Sequence, residues 1–188
     1  MNTLKKLDDG RLLGDNTDGA GLVRDIEANL GFPLAGKRIL LLGAGGAARG
    51  VIAPLLACKP AGLTIANRSA DKAQALAEQF SDIAAVDAGN FAKTAGSRFD
   101  VIINATSASL QGQMPELPPG LVGEDTFCYD LAYGKGHTPF TLWAKSLYAA
   151  RISKGWGMLV EQAAESFFLW RGVRPSTHSV LEALTRKA

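Results

Sequence analysis

The stretch Arg38-Ile39-Leu40-Leu41-Leu42-Gly43-Ala44-Gly45-Gly46-Ala47-Ala48 decides how this chain folds. Its apolar run reads as a strand buried on both faces. The residues after it follow a GxGxxA pattern: a tight turn at Gly43, close approach of backbone amides to an anion at Gly45, and a small Ala48 that lets the next helix pack on the sheet. The next apolar run, Thr64-Ile65-Ala66, ends in Asn67-Arg68, with Ser69 following and Lys72 one helical turn on. Units that bind NAD usually end this second strand in a carboxylate, which accepts from the ribose 2′-hydroxyl. A carboxylate would repel a 2′-phosphate, whereas a guanidinium grips it with paired, charge-assisted hydrogen bonds. The implied cofactor is therefore NADP. A glycine-rich turn alone can be a plain connection, and it is the order of strand, glycines, helix, second strand and arginine that gives this one meaning.

Around this unit, strands and helices alternate. The pattern predicts strands at 38–42, 63–66, 83–86, 99–104, 126–130 and 151–154, and helices at 45–57, 71–80, 139–149, 158–171 and 177–187, with a short helix at 89–95. Ser176 or Thr177 would cap the last of these. Such alternation requires crossover connections, so the expected class is α/β, a Rossmann-like, doubly wound and mainly parallel sheet with helices on both faces. Ahead of it, a turn at Asp8-Asp9-Gly10 suggests a hairpin or edge segment within residues 1–14. Leu22, Val23, Ile26 and Leu30 share one face of a helix from Asp18 to Leu30.

Composition narrows the function. The 188 residues are 47% hydrophobic and 20% charged, with 21 glycines, enough for one good core. A formal net charge of +2 without any basic stripe argues against nucleic acid. No stretch has the length of a membrane span, and the two cysteines, Cys58 and Cys128, cannot form a disulfide framework, so the expected location is the cytoplasm. His137 and His178 lie far apart with no ligand at metal spacing beside them, and no metal site is expected.

Three polar segments remain. Gly14-Asp15-Asn16-Thr17-Asp18-Gly19 precedes a helix, and by itself a helix cap at Asn16, Thr17 or Asp18 accounts for its side chains more readily than a ligand does. Asn104-Ala105-Thr106-Ser107 follows a strand, where open α/β sheets bind ligands. Gly155-Trp156-Gly157-Met158-Leu159-Val160-Glu161-Gln162-Ala163 sets two glycines before a helix and a long amide, Gln162, on its first turns.

Together with Asn2-Thr3-Leu4, Asn67-Arg68-Ser69, Tyr129-Asp130-Leu131-Ala132-Tyr133 and Thr138-Pro139-Phe140, these segments resemble the shikimate dehydrogenase family. The resemblance runs through essentially the whole chain. It implies an NADP-dependent enzyme that reduces 3-dehydroshikimate to shikimate on the route to aromatic amino acids. On this mapping Asp18 is the catalytic carboxylate, and Asn2, Asp18, Tyr133 and Gln162 contact the substrate. Gly43, Ala44, Gly45, Gly46, Ala47, Asn67, Arg68, Ser69, Lys72, Thr106, Leu131, Gly155 and Met158 would surround the cofactor, with Gly155, Met158 and Leu131 at its nicotinamide.

The resemblance also implies a substrate domain upstream of Asn2, with paired serines and a TxPxK segment bearing a catalytic lysine, of which this sequence holds no counterpart. Residues 1–18 are then expected to be a remnant of that domain and a hinge, and 19–188 the NADP-binding domain with its C-terminal helices. The expected partners are a small-molecule substrate and the missing domain. An isolated chain should bind cofactor with little turnover, and its uncovered face near Asp18 could support a homo-oligomer. Lys154, where the family often carries an acid, and Trp156, where it carries a smaller apolar residue, depart from the pattern. The alternatives are a non-catalytic NADP(H)-binding module and a quinate or shikimate dehydrogenase preferring NAD. Arg68 and Lys72 argue against the latter.

Overall fold

The computed structural model describes residues 1–185. Strands β1 (Thr3–Lys6) and β2 (Leu12–Asp15) form an antiparallel hairpin, and helix α1 (Asp18–Arg24) follows. Then come β3 (Arg38–Leu42), α2 (Gly46–Ala57), β4 (Gly62–Asn67), α3 (Ala70–Glu78), β5 (Asp87–Asn90), β6 (Val101–Asn104) and β7 (Phe127–Asp130). Helix α4 (Pro139–Ser146), strand β8 (Arg151–Lys154) and helices α5 (Trp156–Arg171) and α6 (His178–Thr185) complete the chain. Strands β3 to β8 make one six-stranded parallel sheet in the order β5-β4-β3-β6-β7-β8. This is the 3-2-1-4-5-6 order of a dinucleotide-binding fold, with its topological switch between β3 and β6.

Strand β3 shows why the sheet is covered twice. Ile39 and Leu41 pack into a core with Leu22 and Ile26 near α1, Val51 and Leu55 of α2, Leu76 of α3 and Met158 of α5. The alternate residues Leu40 and Leu42 face a second core with Ile102, Cys128, Phe140 and Ala144. All four β3 side chains are fully buried. Each contributes about 1.5–3 kcal/mol of apolar transfer. Burial pushes the Cys128 thiol up to about 12, so it is an inert core group.

Several expectations need correction. The apolar run 83–86 is not the third strand: Ile83 is exposed, and the residues that pair with β4 are Asp87–Asn90, Thr64 opposite Asp87 and Asn67 opposite Asn90. An edge strand needs backbone register more than apolar side chains, so hydropathy marked the approach rather than the strand. The expected helix at 89–95 is a single 3-10 turn at Phe91–Thr94, capped by the Asn90 side chain. Helix α4 stops at Ser146, where the backbone turns so that Tyr148 takes a positive φ.

The helix expected over 18–30 changes register at Asp25–Asn29, a π turn in which the Leu30 amide reaches the Asp25 carbonyl. Nor does Thr17 cap α1 with its side chain. The Asp18 amide is instead taken by Asn16 Oδ1 at 3.0 Å. Thr177 gives its hydroxyl proton to Glu161 at 2.6 Å. The expected end of the last helix at 187 lies outside the described residues.

Candidate cofactor and substrate site

Gly43 follows β3 with φ +105°, a conformation that L side chains resist, and its amide donates to the Ala66 carbonyl at 2.8 Å. A Cβ there would stand 3.0 Å from the Ala105 carbonyl oxygen and 3.3 Å from Thr106. Gly45 is the N-cap of α2 in an extended conformation, and a Cβ on Gly45 or Gly46 would meet nothing within 4 Å. The space before the helix is thus open, and no acidic side chain occupies its first turn. Ala44 is half-buried, Ala47 is exposed and Ala48 is fully buried against the sheet. Free amides, a helix dipole and clear space suit a pyrophosphate.

At the neighbouring strand end, Asn67 Nδ2 donates to the Ser69 carbonyl at 3.1 Å and fixes the bend into α3, of which Ser69 is the N-cap. That bend leaves Arg68 and Lys72 exposed, and among the described residues neither joins an ion pair. A guanidinium at the carboxyl end of β4, beside an open helix N-terminus, fits an adenosine 2′-phosphate.

Across the switch, Asp130 at the end of β7 is wholly buried and accepts four hydrogen bonds. They come from Asn104 Nδ2 (2.9 Å), Ser109 Oγ (3.0 Å), the Ala132 amide (3.1 Å) and Thr138 Oγ1 (2.6 Å). Asn104 Oδ1 in turn accepts from the Thr106 amide and hydroxyl. One carboxylate therefore fixes the loops after β6 and β7 and the capping box of α4. Sequence reasoning assigned Asp130 no role. The available signal was a carboxylate ending the apolar strand Phe127-Cys128-Tyr129.

Three of the four expected substrate residues come together. Asn2 Nδ2 donates to Asp18 Oδ1 and to Gln162 Oε1, each at 2.8 Å. Asn2 Oδ1 accepts from Thr3 Oγ1, the Thr17 amide and Thr17 Oγ1. Ser166 Oγ bonds Thr3 and Thr17 and donates to the Gln162 carbonyl. Gly21 makes this convergence possible, since a Cβ there would stand 2.6 Å from the Gln162 amide nitrogen. Tyr133 is outside this network: its half-exposed ring lies against Trp156, centroids 5.2 Å apart.

The first turn of α5 is equally constrained. A Cβ on Gly155 would collide with the Leu131 carbonyl, and one on Gly157 with the Asp25 carboxylate. Asp25 accepts from Tyr129 OH at 2.7 Å, and that phenol oxygen accepts from the Met158 amide at 3.3 Å. Burial pushes the Asp25 carboxyl above its ordinary value, against the hydrogen bonds from Asn29 and Tyr129. Glu161, also buried, meets Arg24 (3.0 Å), Arg174 (3.1 Å), Asn29 (3.2 Å) and Thr177 (2.6 Å). Burial opposes its charge, but these partners outweigh it and hold its carboxyl below the usual range. Among the described residues no helix is long and apolar enough to cross a membrane, and no cluster of metal-binding side chains occurs.

Residues 26–113 match the shikimate / quinate 5-dehydrogenase family, and residues 155–185 the shikimate 5′-dehydrogenase C-terminal domain. The shikimate dehydrogenase (NADP(+)) of Dechloromonas aromatica is 63% identical over 187 residues, covering 100% of this chain and 68% of that protein. The chain belongs to the shikimate dehydrogenase family. Another member, from Aromatoleum aromaticum, is 59% identical over 100% of this chain and 68% of its own length.

Among solved structures, an Ael1 enzyme from Pseudomonas putida superposes with a TM-score of 0.90 at 49% identity, over 96% of this chain and 66% of that one. The shikimate 5-dehydrogenase of Thermus thermophilus, solved in complex with NADP(H) and shikimate, superposes with a TM-score of 0.81 at 32% identity, over 98% and 67%. The chain thus spans about two thirds of the length of these proteins.

Proposed function

We propose that this chain binds NADP(H) across the carboxyl edge of its sheet and supplies the coenzyme side of a shikimate dehydrogenase, which interconverts 3-dehydroshikimate and shikimate. The observation that carries this reading is the open glycine turn at Gly43–Gly46 with the unpaired Arg68 beside it. Family members named for NADP(+), and a neighbour holding NADP(H) and shikimate, support it.

When bound, NADPH supplies the hydride that reduces the ketone. The chain's own residues bind and orient. The α2 amides would hold the pyrophosphate, Arg68 and Lys72 the 2′-phosphate, and Gly155, Leu131, Met158 and Thr106 the nicotinamide half. Asp18 accepts from the substrate hydroxyl beside the reacting carbon, held for that task by Asn2, while Gln162 and Tyr133 offer further polar contacts. Such positioning contributes by keeping the reacting groups in contact. A proton must also reach the developing alkoxide. Among the described residues Asp18 pairs with no cation, and the family resemblance implies for it a lysine partner in a TxPxK segment. Loss of a general acid costs on the order of 10²–10⁴-fold.

Calorimetric titration of this chain should show NADPH binding, and NADPH oxidation with 3-dehydroshikimate should stay at background. No affinity for NADPH would overturn the coenzyme assignment, and normal turnover would overturn the account of the proton donor. The lone Asp18 also favours a second reading, a non-catalytic NADP(H)-binding module. Adding the N-terminal third of a family member in trans separates the two, since recovered activity means an enzyme part. Leu4, Leu12, Phe167 and Trp170 expose apolar surface around the hairpin and α5. Self-association that rises with concentration in light scattering is expected from that surface.

A further inference from the structure

Lys154, the last residue of β8, has a specific use in this fold. Its ammonium donates to the Gly134 carbonyl at 3.0 Å and to the Gly136 carbonyl at 2.8 Å. Among the described residues it pairs with no carboxylate. The glycines it reaches have φ +154° and +73°, conformations that glycine adopts without the steric cost a side chain would bring. These carbonyls belong to the loop between β7 and α4, pinned at its two ends by Asp130 through the Ala132 amide and Thr138. The Gly155 amide adds a bond to the Ala132 carbonyl at 3.1 Å. Among the described residues the middle of the loop is held by Lys154 and by the Tyr133 ring against Trp156. Trp156 Nε1 is buried there without a hydrogen-bond partner, so the ring contact carries the penalty of an orphaned donor. Without the ammonium, little would hold Tyr133 in place.

The position of this loop gives the tether a consequence. In a 3-2-1-4-5-6 sheet a dinucleotide straddles the switch, one mononucleotide on each half. Arg68 at the end of β4 marks the adenosine half, so the ends of β6, β7 and β8 receive the other half, where the 131–138 loop stands beside Gly155.

We propose that Lys154 is a positioning residue whose ties to Gly134 and Gly136 hold the Tyr133 loop against Trp156 as a wall of the nicotinamide half-site. The proposal rests on the NADP(H) reading. Its test compares two ligands of the same chain, NADPH and 2′-phospho-ADP-ribose, which lacks the nicotinamide. Lys154→Met should weaken NADPH about tenfold, the scale of one or two lost charge-assisted bonds. The affinity for 2′-phospho-ADP-ribose should stay within about twofold, again on the scale of that arithmetic.

Lys154→Arg, which restores donors, should recover most of the loss. Tyr133→Ala should reproduce the pattern, and adding Lys154→Met to it should cost little more, because both act through one wall. Equal weakening of both ligands, full NADPH affinity in Lys154→Met, or additive losses in the double variant would each overturn the tether. If the parent chain binds neither ligand, the coenzyme reading itself fails, a result distinct from a failure confined to the variants.

Discussion

The turn at Gly43–Gly46 and the seam between α1 and α5 both depend on glycines, but for opposite ends. At the turn the absent side chains leave space for something else: Gly45 and Gly46 face open volume, and backbone amides do the binding. At the seam, Gly21 and Gly157 are filled to contact by Gln162 and by the Asp25 carboxylate, so that two helices can bring side chains together. Gln162 then meets Asn2 and Asp18, while its neighbour Glu161 meets Arg24, Arg174, Asn29 and Thr177. A backbone site is encoded in a few consecutive residues, whereas a side-chain site is assembled from segments more than a hundred residues apart.

Substitutions at the turn should sharpen this contrast most. Gly43→Val places a branched side chain at φ +105° and against the Ala105 carbonyl, and both binding and folding should suffer. We expect NADPH affinity to fall at least about 100-fold and stability by about 3 kcal/mol, read by fluorescence titration and urea unfolding. The Cβ of Gly45→Val meets nothing within 4 Å, so this variant should weaken NADPH by an order of magnitude or more, on the scale of lost charge-assisted bonds, while costing only about 1 kcal/mol of stability for a poorer N-cap. If Gly45→Val costs as much stability as Gly43→Val, the turn is as densely packed as the seam and the comparison breaks.

Next in size is Glu161→Gln at the seam. The folded pKa of Glu161 is lowered, so its charge contributes stability above the ordinary value of 4.5 and loses it as pH falls through the folded pKa. At pH 7 the variant should lose about 2–3 kcal/mol, because Arg24 and Arg174 keep their charges beside a neutral amide. The gap between variant and parent should narrow as the pH drops below 4.5. A gap that stays constant with pH would mean the carboxylate acts by shape alone. Arg68→Asp, back at the turn, should lower the preference for NADPH over NADH about tenfold without touching stability, because the side chain is exposed. An unchanged ratio would remove the 2′-phosphate from that strand end.

The same contrast explains what the sequence could convey. Strand β3, its glycines and the Asn67-Arg68 terminus are contiguous, and hydropathy with glycine spacing reads them directly. The sheet class follows from the alternation of elements. The third strand was displaced because Ile83 and Val86 are more apolar than the Asp87–Asn90 edge, whose pairing is made by backbone. The π turn at Asp25–Asn29 has no sequence mark, since Leu22, Val23, Ile26 and Leu30 satisfy an ordinary helix equally well. Asp18 stood out in a polar segment before a helix and Gln162 as a long amide on a helix's first turns, but only the family resemblance joined them with Asn2, and their contact spans up to 160 residues of chain. Asp130 and Lys154 bind loop atoms that only the folded chain presents.

Asn2→Ala should have the smallest effect and is the most informative for the seam. Its amide joins Asp18 to Gln162 and its oxygen accepts from Thr3 and Thr17, so the number of bonds suggests a large loss. Asn2 is itself exposed, however, and water can take over the groups it leaves. We therefore expect about 1 kcal/mol in urea unfolding, in line with a net hydrogen-bond contribution. NADPH affinity should be unaffected, because the turn lies on a different part of the fold. The change should show in local order: amides of β1 and β2 should exchange with solvent faster, since among the described residues the remaining side-chain hydrogen bonds of the hairpin to the helices include Thr3 with Ser166 and the Leu4 carbonyl with Trp170 Nε1. A loss above about 3 kcal/mol would make this network a structural core rather than a holder of Asp18, because a cost of that size marks buried groups left unsatisfied.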